Sequence, residues 1–327
     1  MADARSQFVT FVALLLLSLL ASIPRVCLGQ STEAGIYQET VPYTPVGRGA
    51  PAVDVVFNGT VKARMLVDSG STGCFISDQL AAKLGLANGP FVKWQQPMIV
   101  RGESLSVVTI SRMDIGKISL SNTAFAILDS DMMGPIKDVD GIIGANVMEM
   151  LPLFFDFQKH EITLFTKSPS EDDLKSVGMD GSEVVPVRDE NGDYRFICPV
   201  SVISGSNEAV DKLHVDTGSV ATVFSKAAAS ELGLTGHGGN LRLPTVDRDF
   251  RIDRGWISGI SIAGLTSKAF SIYYSVEDLP PGVVLPLGLD VLSHYKILLD
   301  FSKKIMYIKT ADETAPTSTP ATPANAH

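Results

Sequence analysis

Cysteine is scarce in this chain of 327 residues, with three in all at positions 27, 74 and 198. That is too few for a disulfide framework, and Cys74 and Cys198 read as buried small hydrophobes rather than a bridge. Tryptophan occurs twice, and charged side chains make up only 19% of the residues against 45% hydrophobic. Such a composition excludes a chain disordered throughout and requires a core. Cations are the minority sign, 27 Lys and Arg against 36 Asp and Glu, for a formal net charge of −9, and no long basic stretch stands out. Phosphate neutralisation needs clustered cations, so nucleic acid is not an expected partner. The acidity is read as a solubility feature.

Long apolar runs are missing as well, except at the start. Arg5 precedes an apolar stretch from Phe8 to Ile23, which Pro24 and Arg25 break before Cys27-Leu28-Gly29. Residues 1–29 therefore read as an export signal cleaved before Gln30. The expected destination is periplasmic, extracellular or lumenal, with no stable membrane insertion after cleavage; an uncleaved N-terminal anchor is the alternative. Metal-ligand spacing is absent, since His160, His214, His237, His294 and His327 are scattered, so neither a metal nor a cofactor is expected. His214 shares a strand face with Asp216 two residues on, and is read as a packed or solvated histidine. No G-x-S-x-G or Cys/His nucleophile pattern occurs. Asp189-Glu190-Asn191-Gly192-Asp193 lacks the distal Glu of a calcium loop and reads as a hairpin turn.

What is present is one unit written twice. Val67-Asp68-Ser69-Gly70-Ser71 recurs as Val215-Asp216-Thr217-Gly218-Ser219. In each copy a short strand follows, Phe75-Ile76-Ser77 or Val223-Phe224-Ser225, and then a helix ending at Gly85 or Gly233. Each unit closes on matching segments: Ile142-Ile143-Gly144 with Pro286-Leu287-Gly288, Leu153–Phe157 with Ile297–Phe301, and Glu161–Phe165 with Lys304–Ile308. The openings match too, Thr40-Val41-Pro42 with Val184-Val185-Pro186. Between these landmarks the chain reads as strands. Val53–Phe57 and Lys62–Val67 flank the hairpin signal Asn58-Gly59. Val107–Ile115 and Ile257–Ile262 are apolar, β-branched runs stopped by Gly116 and Gly264. The expected organisation is a signal over 1–29, a β-rich lobe over 30–167, an acidic polar linker over 168–183, a second lobe over 184–310 and a Thr/Pro/Ala-rich disordered tail over 311–327.

One Asp-x-Gly is an ordinary turn. Two at equivalent places of a duplicated unit are brought together by a pseudo-twofold axis, which puts Asp68 beside Asp216. Close carboxylates in a dry cleft cannot both ionise cheaply and share a proton. The charged member then accepts a proton from water while the protonated one donates to a substrate carbonyl, which is general acid–base hydrolysis of an amide. Gly70 and Gly218 allow tight turns. Ser69 and Thr217 have hydroxyls suited to cross-linking the two turns, and Ser71 and Ser219 to bonding the carboxylates from outside.

The D-S-G-S and D-T-G-S sequences, each completed by an apolar-apolar-Gly segment, resemble aspartic proteases of the pepsin and retropepsin type. The chain looks like two retropepsin-like units fused in tandem, over about Val41 to Lys309. The resemblance implies an all-β fold of two closed β-lobes related by a pseudo-twofold axis, with few short helices, and Asp68 and Asp216 as the catalytic dyad. It further implies a monomer that takes a peptide or protein substrate. By position, Arg101 and Gly102 would lie in a substrate-covering flap, and Thr245 and Val246 in its counterpart. Pepsins carry a Trp soon after the first motif and a Tyr in the flap; here Cys74 follows Gly73 and no flap Tyr is evident. The reading is an exported aspartic endopeptidase, with a catalytically silent peptide-binding or scaffold protein of the same fold as the alternative.

Overall fold

The computed structural model describes residues 30–32, 37–92, 99–100, 103–129, 138–186, 196–234, 241–244, 249–279 and 283–311. The expected signal, the residues Arg101, Gly102, Thr245 and Val246, the Asp189–Asp193 turn and the tail from 312 lie outside the described residues. Described helices are short, at Asp78–Lys83, Ala145–Met148, Glu171–Ser176, Lys226–Glu231 and Leu289–Leu292. Strands make up the rest of the regular structure, in two barrel-like lobes and one sheet between them.

In the first lobe the strand order runs Gln30–Thr32, Ile118–Leu128, Phe75–Ser77, Gly141–Ile143, Val61–Val67, Ala50–Phe57, Thr44–Val46. Val107–Ile115 pairs with both Ile118–Leu128 and Ala50–Phe57, which curls the sheet towards closure. Turn chemistry sets the register. Asn58 and Gly59 both take positive φ, 50° and 72°, the two-residue hairpin geometry that Asn-Gly favours, and Val61 duly pairs with Phe57. The second lobe has Val223–Phe224, Leu265–Ser275, Asp249–Ile262, Ile197–Ser204, Asn207–Val215 and Leu285–Leu287 in order. Its strand Asp249–Ile262 starts eight residues earlier than the run Ile257–Ile262 suggests, because Asp253, Arg254 and Gly255 interrupt the apolar pattern without breaking the ladder to Leu265–Ser275.

Both helices after the Asp-x-Gly turns end alike. Gly85 has φ of 73° and Gly233 of 70°. Leu86 N–H donates to Ala81 O and Gly85 N–H to Ala82 O, at 2.8 and 3.0 Å. Leu234 and Gly233 repeat this with Ala229 and Ser230 at 2.9 and 3.1 Å. These are the crossed bonds of a glycine-terminated helix.

A six-stranded sheet joins the lobes, in the order Glu183–Pro186, Ile305–Thr310, Tyr295–Asp300, Leu153–Asp156, Glu161–Phe165, Gln38–Pro42. Its central strands pair Leu153 with Leu299, Phe154 with Leu298 and Phe155 with Ile297. Phe154 and Leu298 occupy equivalent places in the two units, so this pair marks the pseudo-twofold axis. Both central strands are buried throughout, which explains their unbroken apolar sequence. The segment read as a linker carries the helix Glu171–Ser176, started by a Ser170/Asp173 capping box. It packs Leu174 and Met179 beneath Phe154, Phe165 and Leu298.

Candidate active site

The two Asp-x-Gly turns meet where the lobes face each other. Each aspartate follows directly on a strand, and the apolar-apolar-Gly segment of the same unit runs alongside. Met65–Val67 pairs in parallel with Gly141–Ile143, and Leu213–Val215 with Leu285–Leu287. The ladders extend by one bond into the turns, since Asp68 N–H donates to Ile143 O and Asp216 N–H to Leu287 O, each at 3.0 Å. Ser71 O then accepts from Ala145 N–H and Ser219 O from Leu289 N–H, each at 2.8 Å. The glycine between is obligatory for space: a Cβ on Gly288 would lie 2.5 Å from the Ala221 carbonyl carbon, and one on Gly144 would strike Gly73 O.

Ser69 and Thr217 lock the turns together. Ser69 N–H donates to Thr217 Oγ1 at 3.0 Å and Thr217 N–H to Ser69 Oγ at 3.1 Å. Each hydroxyl donates onward across the interface, Ser69 to Val215 O and Thr217 to Val67 O, both at 2.8 Å. The cross-link expected of these hydroxyls is thus present, in a fully symmetric form. All four bonds are buried, where a lost partner leaves an unpaired polar group behind.

Gly70 and Gly218 are required for another reason than turn conformation. Neither takes a positive φ. A Cβ on Gly70 would stand 2.5 Å from Asp216 Cγ, and one on Gly218 would collide with Asp68 Cγ. Each glycine therefore makes room for the opposite carboxylate. Gly70 and Ser71 N–H donate to Asp68 Oδ1 at 2.8 and 3.2 Å. Gly218 and Ser219 N–H donate to Asp216 Oδ1 at 3.0 and 2.8 Å. The hydroxyls of Ser71 and Ser219 do not reach the carboxylates as expected. They donate to Gly73 O and Ala221 O at 2.8 and 3.0 Å, because a hydroxyl has one proton and the carbonyl two residues on lies in its path.

Both aspartates are wholly buried. Burial first, and then the charge of Asp216, hold the Asp68 carboxyl well above the usual carboxylate range. Asp68 Oδ2 has no hydrogen-bond partner among the described residues. The geometry brings together two wholly buried carboxyl groups, one of them held above the ordinary carboxylate range, the kind of pairing that acid–base hydrolysis needs.

Two groups at the site escape the sequence reading. His214 is packed, with 1% of its side chain exposed, but its Nε2 lies 3.1 Å from Asp216 Oδ2. The two-residue spacing onto one strand face was the available signal. Behind the second turn, Asp290 Oδ1 accepts from Thr222 N–H and Oγ1–H at 2.8 and 2.7 Å, and Thr222 Oγ1 accepts from Gly288 N–H at 2.9 Å. Cys74 and Cys198 are free and buried, their thiols pushed up to about 12 by burial. Among the described residues no cluster of His, Cys, Asp and Glu has the make-up of a metal site. No described helix is long and apolar enough to cross a membrane. By number the flap positions lie between the paired strands Ile99–Val100 and Glu103–Ser104, and between Leu241–Pro244 and Asp249–Ile252. They are themselves outside the described residues.

Residues 53–147 match the family described as "Aspartyl protease". No curated protein matches the chain by sequence search. Among solved structures the chain is similar to the aspartic proteinase from Irpex lacteus at 16% identity and a TM-score of 0.52, covering 86% of this chain and 100% of that one. It is also matched to a retropepsin-like aspartic protease from Rickettsia conorii at 19% identity and a TM-score of 0.30, over 41% of this chain and 93% of that one. By sequence over its first unit and by fold over both, the chain resembles the aspartyl proteases, with the two barrel-like lobes of a pepsin-like protein.

Proposed function

We propose that the chain is an exported aspartic endopeptidase that hydrolyses peptide bonds with a water activated by Asp68 and Asp216. The observation that carries this reading is the pair of buried carboxylates, each backed by the opposite glycine and tied by the Ser69–Thr217 cross-link. The carboxylate of the pair takes a proton from the water, whose oxygen attacks the carbonyl carbon of the substrate. The protonated partner gives its proton to the carbonyl oxygen; the proton taken from the water then passes to the amide nitrogen as the C–N bond breaks, and a hydroxyl proton of the tetrahedral intermediate returns to the partner carboxylate, releasing acid and amine. Export rests on the N-terminal sequence, and the peptide or protein nature of the substrate on the family resemblance.

The test is cleavage profiling of a peptide library across pH, with Asp68→Asn and Asp216→Asn as controls. Each substitution keeps the shape of the side chain and removes its acid–base chemistry. Cleavage by the wild type and none by either variant is expected. Cleavage that survives both substitutions overturns the mechanism. Dyad-dependent binding of a peptidomimetic inhibitor without turnover of any peptide identifies a scaffold instead.

A further inference from the structure

The bonds that tie the two Asp-x-Gly turns to each other and to their own aspartates are matched in the two halves, but the side chain two residues before each aspartate is not. Leu66 stands two residues before Asp68, opposite Ile142 in the adjoining strand. His214 stands two residues before Asp216, opposite Pro286. Leu66 is apolar and leaves Asp68 Oδ2 without a partner among the described residues. His214 places Nε2 3.1 Å from Asp216 Oδ2, and its Nδ1 3.1 Å from Val284 O.

The second contact fixes the tautomer. A backbone carbonyl only accepts, so Nδ1 carries a hydrogen. In the neutral ring Nε2 is then a bare lone pair, which bonds Oδ2 only when Asp216 is protonated. In the imidazolium, Nε2–H donates to an ionised Asp216. One proton therefore always lies on the His214–Asp216 contact. The surroundings favour its residence on nitrogen, because Asp216 Oδ1 already receives two backbone N–H donors. Such donors stabilise a carboxylate, and an imidazolium beside it adds opposite charge.

We infer that His214 is a positioning residue which, as the imidazolium, holds Asp216 as the ionised member of the dyad, making Asp216 the base and Asp68 the acid. The inference rests on the proposed protease reading and deepens it. Few other ionisable groups bear on the ring. On its own strand Glu208 and Lys212 are exposed and Asp211 is half-buried. The flanking strand Ile197–Ser204 offers only Cys198, whose buried thiol stays neutral. Leu285–Leu287 has none, and Lys226 and Glu231 of the adjacent helix are exposed. Asp290, on the helix beyond Gly288, is engaged with Thr222. Across the lobe interface the ring's effect reaches Asp68 through Asp216. The expected consequence is a dyad that stays singly ionised to lower pH than it would without the ring.

The test compares wild type, His214→Leu and His214→Gln. Leucine reproduces the Leu66 side of the site, and glutamine keeps a donor without charge. In kcat/KM against pH for any cleaved peptide, the acid limb of the leucine variant is expected to move up by at least one pH unit. On a limb of unit slope that is about a tenfold loss at a fixed acidic pH. The glutamine variant is expected to shift likewise while keeping more of its maximal kcat. A common acid limb for all three overturns the inference. Independently of turnover, ring-15N-labelled full-length protein reports the protonation of both nitrogens, the His214 signals being those missing from the glutamine variant. Both nitrogens protonated at the pH of maximal activity, or at pH 4 to 5 if no peptide is cleaved, is the expected result; a bare Nε2 there overturns it. A wild type that cleaves nothing defeats the protease reading while the ring signals still decide the state of His214.

Discussion

Replacing Asp290 by asparagine should stabilise the protein at neutral pH and leave it unchanged in acid. Asp290 anchors the second Asp-x-Gly turn through Thr222, yet burial raises its carboxyl from 3.8 to about 6. A raised folded-state value means that the fold keeps a proton the unfolded chain releases between those two pH values. Stability therefore falls as pH rises through that window and stays low above it. Two units correspond to about 3 kcal/mol, an upper limit because the half-buried side chain is partly screened by water. Asparagine offers the same acceptor to Thr222 without charge. The first unit carries an asparagine at the equivalent place, Asn146. Urea and thermal midpoints of wild type and Asp290→Asn, measured from pH 3.5 to 7.5, should coincide at the acid end and separate by about 1–3 kcal/mol at the neutral end. A difference independent of pH, or a variant that loses ground as pH rises, refutes the reasoning. Asp290→Ala removes the acceptor as well, leaves Thr222 N–H unpaired, and should cost about 1–3 kcal/mol across the range.

Asp68→Asn should abolish cleavage yet raise the unfolding midpoint at neutral pH, since the wild-type carboxyl is held far above its ordinary range and its contribution to stability is lost as pH rises; the gain should vanish in acid, and a gain that persists there refutes the assignment. Thr217→Ala deletes an acceptor and a donor of the cross-link and should cost about 2–4 kcal/mol in urea unfolding along with most activity, whereas Thr217→Ser should retain both. Gly218→Ala drives a Cβ into the Asp68 carboxylate, so cleavage should fall at least a hundredfold in a peptide assay, by about 3 kcal/mol of transition-state stabilisation. Gly85→Ala places a side chain at φ of 73° in space that is otherwise open; it should cost about 1 kcal/mol in thermal unfolding and leave kcat/KM unchanged.

Local chemistry made much of the fold legible. Asn58-Gly59 announces its hairpin, Val107–Ile115 ends where Gly116 turns at φ of 57°, and both helix ends carry the glycine that their left-handed C′ position demands. The repeat placed Asp68 and Asp216 together before any coordinate. Other features depend on partners far away in sequence. Leu153–Asp156 and Tyr295–Asp300 are buried on both faces, so no alternation shows which strand each one pairs with. The role of Gly70 is set by a carboxylate in the other lobe, and nothing within its own turn reveals it. The hydroxyls of Ser71 and Ser219 have the composition to reach a carboxylate, but their geometry commits them to carbonyls two residues on. His214 reads as an ordinary packed histidine because the two-residue spacing puts it on the strand face of Asp216 without aiming its ring, which is held by Val284 O, distant in sequence.

The central pair of the joining sheet, Phe154 with Leu298, carries a consequence for how freely the site can diversify. Were the units separate identical chains, the same sheet would form only by encounter, and every residue would appear on both sides of the axis. Within one chain the two halves meet at an effective concentration set by the connection between them, and each position across the axis is free to differ. Leucine at 66 answered by histidine at the equivalent place, 214, is a combination no homodimer of one unit could hold. Covalent fusion is thus what permits one aspartate of a twofold pair to be given a different neighbour from the other.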